Sequence, residues 1–376
     1  MALIRLPSLF HVIEGEYPQL SGEFTKCGTT DPDLVRRLSR SFVKSSVRME
    51  DREDTVWHVI AQRHHTELVR LLKSEDVEGL SRFFGDIHRT GALKGIDQDE
   101  DLSKKIESSP EERDRLLLIF KDLLVRLAEA IGCLPLEIPG YRDRCENLYL
   151  DTDEVVKQIE ERLEIDISPP AVTAGRFGLS TSTGAVFTNR DTYALYCAFR
   201  LKELTEGNDN PRVCEIGGGM GRVAYYANRL GIKNYTLIDL PQISAVQGFW
   251  LSRALDDRVL FHGEEPDRKE DHFDGIVVLP SWCFPEIDVE FDVVLNTDSM
   301  PEMGWSIAPE YADMIKEKGK PTFLSINQEA RKQMVPGGPS HAVVADVIRK
   351  SGGYERLNRF PFWLRKGYVE ELYRVL

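Results

Sequence analysis

Residues 211–241 read PRVCEIGGGMGRVAYYANRLGIKNYTLIDLP. Residues 212–216 are a β-prone run that ends on three successive glycines. A helix is predicted next, with Val223, Ala224, Ala227 and Leu230 on one face and Gly231 where a C-terminal stop belongs. Residues 235–238 predict a second buried strand, with Asp239 at its carboxyl end. An open parallel sheet binds ligands outside the carboxyl ends of its strands, so Gly217, Gly219, Gly221 and Asp239 are brought together by topology. Glycine lets backbone approach a ligand closely, and an acidic group on the second strand can accept ribose hydroxyls. The expectation is a nucleoside-binding crevice; the blander alternative is a set of glycines serving only a tight turn.

Two nucleosides compete for that crevice. Gly219-x-Gly221-x-x-Ala224 satisfies the relaxed dinucleotide fingerprint, with Asp239 about 20 residues further on. Glu215-x-Gly217-x-Gly219-x-Gly221 is equally the acidic-plus-glycine pattern of class I methyltransferases, which bind S-adenosylmethionine. A dinucleotide brings a pyrophosphate to the helix N-terminus. S-adenosylmethionine brings a sulfonium and an ammonium, and a carboxylate at Glu215 suits those cations. The reading tilts to the methyl donor.

A chain of 376 residues exceeds the usual single-domain size, so two parts are expected: a helical region over 1–170, serving as lid or dimerisation element, and a catalytic domain over 171–376. No run of about 18 apolar residues predicts a membrane span, and the first residues carry no convincing secretory signal. Six cysteines without a C-x-x-C pair read as thiols of a reducing compartment, which points to the cytoplasm and not to a disulfide or zinc framework. A net charge of −14 without a basic stripe disfavours nucleic acid and anionic membranes as partners, since Lys and Arg must neutralise their phosphates. A small-molecule or saccharide acceptor is expected, with a homodimer as a further expectation for the helical region.

Outward from the organising stretch, residues 1–30 read as irregular. Asp31-Pro32 is an N-cap and first-turn pair leading into Leu34, Val35, Leu38 and Phe42 at helical spacing. A second helix is predicted from about 54 through Trp57, Ile60, Leu68 and Leu71, and a third carries Val77, Leu80, Phe83 and Phe84. Residues 96–108 read as a charged connection. Ser109-Pro110-Glu111-Glu112 is a capping box that starts a helix ending at Gly132. An acidic helix follows over 153–163, then a glycine- and serine-rich loop before a helix starting near Thr188 or Asn189. Arg176 and Arg190 are candidates to meet a donor carboxylate or a substrate, or else plain loop arginines. His64 and His65 are adjacent on a helix and point apart, which argues against a metal pair. Phe83-Phe84 reads as core or interface.

Beyond 241, strands are predicted at 258–261 (the third), 274–279, 291–296 (the fourth) and 321–327 (the fifth). Residues 354–363 and 368–375 form a hairpin about Arg365-Lys366-Gly367. The fold class is therefore α/β: a Rossmann-like class I methyltransferase sheet with a C-terminal antiparallel hairpin, plus a helical N-terminal region. An NAD-binding sheet would end on a sixth parallel strand.

Methyl transfer is an in-line displacement that needs alignment and, for a hydroxyl acceptor, a base. The end of the fourth strand supplies Asn296-Thr297-Asp298-Ser299-Met300-Pro301-Glu302-Met303, and a loop over 336–341 ends on His341. Glu302, Asp298 and His341 are the candidate bases; histidine has the best intrinsic pKa near neutrality. NTDSMPEM is not the Asp/Asn-Pro-Pro-aromatic tetrad of nucleobase amino-methyltransferases, and no paired metal-ligand spacing is present, so no metal site is assigned, although the Asp and Glu residues near the crevice leave a metal open.

EIGGGMGRVAYYA, LIDLP, FDVVLNTDSMPEM, SINQEA and RFPFWLRKGYVEELY together resemble the sugar O-methyltransferase family, over roughly residues 170–376. Members are bacterial S-adenosylmethionine-dependent enzymes associated with polysaccharide or natural-product assembly. The resemblance implies that Glu215, Gly217, Gly219 and Gly221 hold the amino-acid part of the donor, and that Asp239 takes the ribose hydroxyls. Residues 279–282 would face the adenine, and Leu240 and Asn296 complete the donor set. Met220 stands where members often carry an aromatic residue. The alternatives are an NAD(P)-dependent oxidoreductase and a non-catalytic binding protein that keeps the fold.

Overall fold

Asp31 caps the first helix as its sequence predicts: the carboxylate accepts the Asp33 N–H at 2.9 Å, and Pro32 opens α1 (Pro32–Ser46). The computed structural model describes residues 11, 16–26, 31–48, 55–137, 146–255, 258–264, 274–331 and 340–376. The single helix expected over 54–71 is two, α2 (Val56–His64) and α3 (Thr66–Lys73), because His65 leaves the helical path to bury its ring beside Trp57. Residue 54 lies outside the described residues. In α4 (Val77–Gly85), Phe84 stacks on Phe249 with ring centroids 4.5 Å apart, and Phe83 meets it edge-on.

Most of the stretch expected as a charged connection is instead a helix, α5 (Glu100–Ser108). Asp99 caps it by accepting the Leu102 N–H, Ser103 and Ile106 face inward, and the charges line the solvent face. Ser109 caps α6 (Pro110–Ala130) by accepting the Glu112 N–H at 3.1 Å, while the Glu112 carboxylate turns to Arg115. The acidic helix is α7 (Thr152–Leu163).

The stretch expected as a loop before the next helix holds two strands. β2 (Phe177–Ser180) pairs antiparallel with β3 (Val186–Phe187) and with β1 (Gly22–Phe24), in the segment expected to be irregular. Phe177 and Leu179 are buried, and the ladder continues where the Thr25 hydroxyl accepts the Arg176 N–H, a pairing 151 residues apart in sequence.

After α8 (Asn189–Leu204) the chain winds the main sheet through β4 (Arg212–Ile216), α9 (Arg222–Arg229), β5 (Asn234–Asp239), α10 (Pro241–Ala254), β6 (Val259–Phe261) and β7 (Gly275–Pro280). It continues with β8 (Val293–Thr297), α11 (Gly304–Lys316), β9 (Thr322–Gln328), α12 (Val344–Ser351), β10 (Tyr354–Pro361) and β11 (Tyr368–Val375). Among the described residues the strand order is β6-β7-β5-β4-β8-β9-β11-β10. The strands from β6 to β9 run parallel; β11 is antiparallel to both β9 and β10. The strand expected third, at 258–261, is the outer edge, and the longer β7 takes the place beside β5.

Counted from β4, the order is that of the class I methyltransferase sheet, with β6 added at one edge. One face carries α11 and α12 over Phe284, Tyr311 and Phe323. The other shares a single hydrophobic cluster with the helical region, in which Leu38 and Phe84 join Phe249 and Trp250. Gly248 permits that closeness, since a Cβ there would lie 2.6 Å from Leu38 Cδ2.

Candidate active site

Three glycines in a row turn the chain from β4 into α9, and their surroundings differ. A Cβ on Gly217 would sit 2.1 Å from Ser299 Oγ, and one on Gly218 would sit 2.4 Å from Leu237 Cδ2. Gly219 instead has only Ile96 Cγ2 near it, at 3.4 Å. Gly217 (φ 75°) and Gly219 (φ 58°) hold the left-handed backbone that side chains resist. Gly217→Ala should therefore cost on the order of 1–2 kcal/mol from the backbone alone, with the Ser299 clash added. A thermal midpoint unchanged by that substitution would contradict this account.

Beside this loop, at the carboxyl ends of β4, β5 and β8, lies a cavity of about 520 Å³. Of the expected donor-site residues, Glu215, Gly217, Gly219, Asp239 and Leu240 line it. Gly221 and Asn296 do not. Gly221 instead packs α9 closely onto Leu251 of α10. Asn296 is a buried strut: its amide donates to the Ile216 carbonyl at 2.9 Å and to Ser299 Oγ at 2.6 Å, and its oxygen accepts from Asn327. Within 279–282, Ser281 and Trp282 line the cavity and Leu279 does not. Met220 is buried and lines it.

The floor is acidic. Glu215 is fully covered and accepts the Tyr235 hydroxyl at 2.9 Å; burial pushes its carboxyl up to about 8, against that hydrogen bond. Burial likewise pushes Asp239 up to about 7, although it accepts the Leu240 N–H at 2.8 Å and the Gln247 amide at 2.7 Å. Both are groups that an adjacent cation would return to the ionised state.

Two of the three expected bases, Glu302 and Asp298, also line the cavity. Burial pushes Glu302 up to about 8, the charge of Asp298 adds to that, and a hydrogen bond from Trp57 opposes it. Asp298 has a left-handed backbone (φ 64°) and is held by the hairpin: Arg365 pairs with it at 2.7 Å and the Tyr368 hydroxyl donates to it. Burial alone would raise Asp298, but those two partners overcome it and hold the carboxyl below its usual range. His341 does not line the cavity: it is buried with Nδ1 bonded to the Gln328 amide, and burial lowers its pKa. Residues 336–339 of its loop lie outside the described residues.

The two candidate arginines part company. Arg190 lines the cavity and reaches the Gly95 carbonyl at 3.4 Å. Arg176 is buried away from it, paired with Asp191 at 2.9 Å. Asp191 also accepts from Arg222 at 3.0 Å, and Arg222 reaches Asp97 at 2.5 Å. Each of these four side chains is at most 6% exposed.

Sequence reasoning offered the helical region as a lid without naming the residues it brings: Trp57, His58, Gly95 and Ile96 all line the cavity, as do Tyr193 and Arg365. Trp57 belonged to a helix with plain apolar spacing, and Arg365, although inside the quoted stretch RFPFWLRKGYVEELY, was read only as part of a turn.

No protein-family model and no curated protein matches the chain. Among solved structures it is similar to the glycopeptide N-methyltransferase MtfA complexed with S-adenosyl-L-homocysteine, at 17% identity over 49% of this chain and 90% of that one, with a TM-score of 0.35. It is also similar to the CcbJ methyltransferase from Streptomyces caelestis, at 15% identity, 48% and 89% coverage and a TM-score of 0.34. The magnesium protoporphyrin IX methyltransferase ChlM from Synechocystis PCC 6803 gives 13%, 50%, 83% and 0.36.

Proposed function

We propose that this chain is an S-adenosylmethionine-dependent methyltransferase acting on a hydroxyl of a sugar or a glycosylated small molecule. The observation that carries the reading is the reversed strand β11, inserted between β9 and β10 on a sheet whose glycine loop opens onto a cavity. A dinucleotide-binding sheet would place a sixth parallel strand there. The residues fit the donor. The paired carboxyls of Glu215 and Asp239 favour a cationic guest, and burial makes a second anion beneath the loop costly.

In this reading the open backbone at Gly219 and the Glu215 carboxylate receive the amino-acid end, Arg190 the carboxylate, Asp239 the ribose hydroxyls, and Ser281 with Trp282 the adenine. Bound there, S-adenosylmethionine supplies an electrophilic methyl group on a sulfonium. Glu302 takes the proton from the acceptor hydroxyl, and Trp57 orients its carboxylate by hydrogen bonding. Asp298 and Arg365 present a fixed acceptor and donor to neighbouring hydroxyls, while Tyr193, Phe362 and Tyr368 offer apolar faces to the sugar ring.

Titration calorimetry with S-adenosylmethionine, S-adenosylhomocysteine, NADH and NADPH in parallel tests the donor. Micromolar binding of the two sulfur ligands alone is expected. Binding of a nicotinamide would replace this reading with an oxidoreductase, and donor binding without transfer to any glycoside in an acceptor screen would point to a binding protein.

A further inference from the structure

Among the described residues, the turn Gly95-Ile96-Asp97, between a short helical turn and α5, brings the helical region to the glycine loop. Three contacts fix that turn. Ile96 Cγ2 lies 3.4 Å from the position of a Cβ on Gly219, the one glycine of the loop that is otherwise open. Asp97 pairs with Arg222, the first residue of α9 after the loop, at 2.5 Å. Gly95 accepts from Arg190 at 3.4 Å. Gly95, Ile96, Arg190 and Arg222 all line the cavity.

We infer that Asp97 is a positioning residue for the donor site, acting through Arg222 to hold the glycine loop and Ile96 in the arrangement that receives the amino-acid end of the donor. This rests on the donor reading above. The carboxylate of Asp97 is itself almost wholly covered, with a side chain 1% exposed, and the charged or titratable groups around it are Arg222, His88, Arg176 and Arg190. A covered ion pair of this kind ties two parts of a chain in a single geometry. Here the parts are a turn of the helical region and the start of α9. The helical region thus forms a wall of the donor pocket, in addition to any role as a cover.

D97N keeps the side-chain shape and removes the charge, leaving Arg222 its second partner, Asp191. The control is E370Q, which breaks the covered pair between Glu370 and Arg200, at 2.8 Å, outside the cavity lining. S-adenosylmethionine affinity is read by calorimetry. In the ligand-free protein, hydrogen exchange is followed in the peptide spanning residues 215–225.

The expected result is a roughly 10- to 100-fold weaker donor Kd for D97N with faster exchange in that peptide, and wild-type values of both for E370Q. Wild-type affinity in D97N overturns the positioning role while leaving the donor reading intact. Equal loss in both variants, or failure of D97N to fold, overturns it in favour of plain scaffolding. A wild-type protein that ignores S-adenosylmethionine overturns the donor reading and this inference with it.

Discussion

Glu302→Gln should lower kcat/KM for the acceptor by about 10²–10⁴-fold, the usual contribution of a positioned general base. The glutamine keeps the shape of the side chain and a partner for Trp57, but cannot take a proton. The pH dependence makes the test specific. In the folded protein Glu302 sits at about 8, raised by burial and by Asp298 from an ordinary value of 4.5. A base acts when ionised, so the wild-type rate should climb with pH up to about 8 and level off beyond it. At pH 6 only about one molecule in a hundred would carry the carboxylate. In Glu302→Gln the residual rate should lose that limb. A variant that retains both the rate and the rising limb would remove Glu302 from the mechanism.

Asp191→Ala should cost about 3–5 kcal/mol of stability, because it strips two covered guanidinium groups of a shared carboxylate. Arg176 and Arg222 both donate to Asp191, which also accepts the Thr188 N–H and hydroxyl at the start of α8. Arg176 is buried, and Arg222, although it borders the cavity, is almost wholly covered and lies over the Trp250 ring at 4.9 Å. Domains have only about 5–15 kcal/mol in total, so soluble yield should fall as well. A urea unfolding series measures the shift. Cutting the exposed pair Arg70–Glu67 in parallel should move the midpoint little. A midpoint for Asp191→Ala within error of wild type would show that the network is not a structural keystone.

How much of this was legible beforehand depended on the range of the interaction. The loop at 217–221 and the strands around it were readable because a left-handed backbone selects glycine locally and burial on both faces selects unbroken apolar runs. The capped start of α1 was readable for the same reason, since Asp31 acts two residues away. The helix α5 escaped notice because only Ser103 and Ile106 face inward among its charges. β1 and β2 escaped because each supplies the other's hydrogen bonds from more than 150 residues away. At the site, strand-end logic brought Glu215, Asp239, Asp298 and Glu302 to the cavity, whereas the approach of Trp57 and of the turn at Gly95 depends on tertiary packing that no local pattern encodes. His341 was placed by loop proximity, and the structure buries it outside the cavity lining instead.

The stacking of Phe84 on Phe249 also sets a timetable. A ribosome delivers the first ring roughly 160 residues before the second, on the order of ten to thirty seconds earlier at about 5–20 residues per second. Through that interval Leu38 and Phe84 lack the α10 surface that covers them in the finished molecule, and β1 lacks its partner until β2 emerges at 177–180. Nascent chains stalled near residue 170 would thus present sticky helices and an unpaired strand, and their escape from aggregation would hinge on how soon α10 emerges.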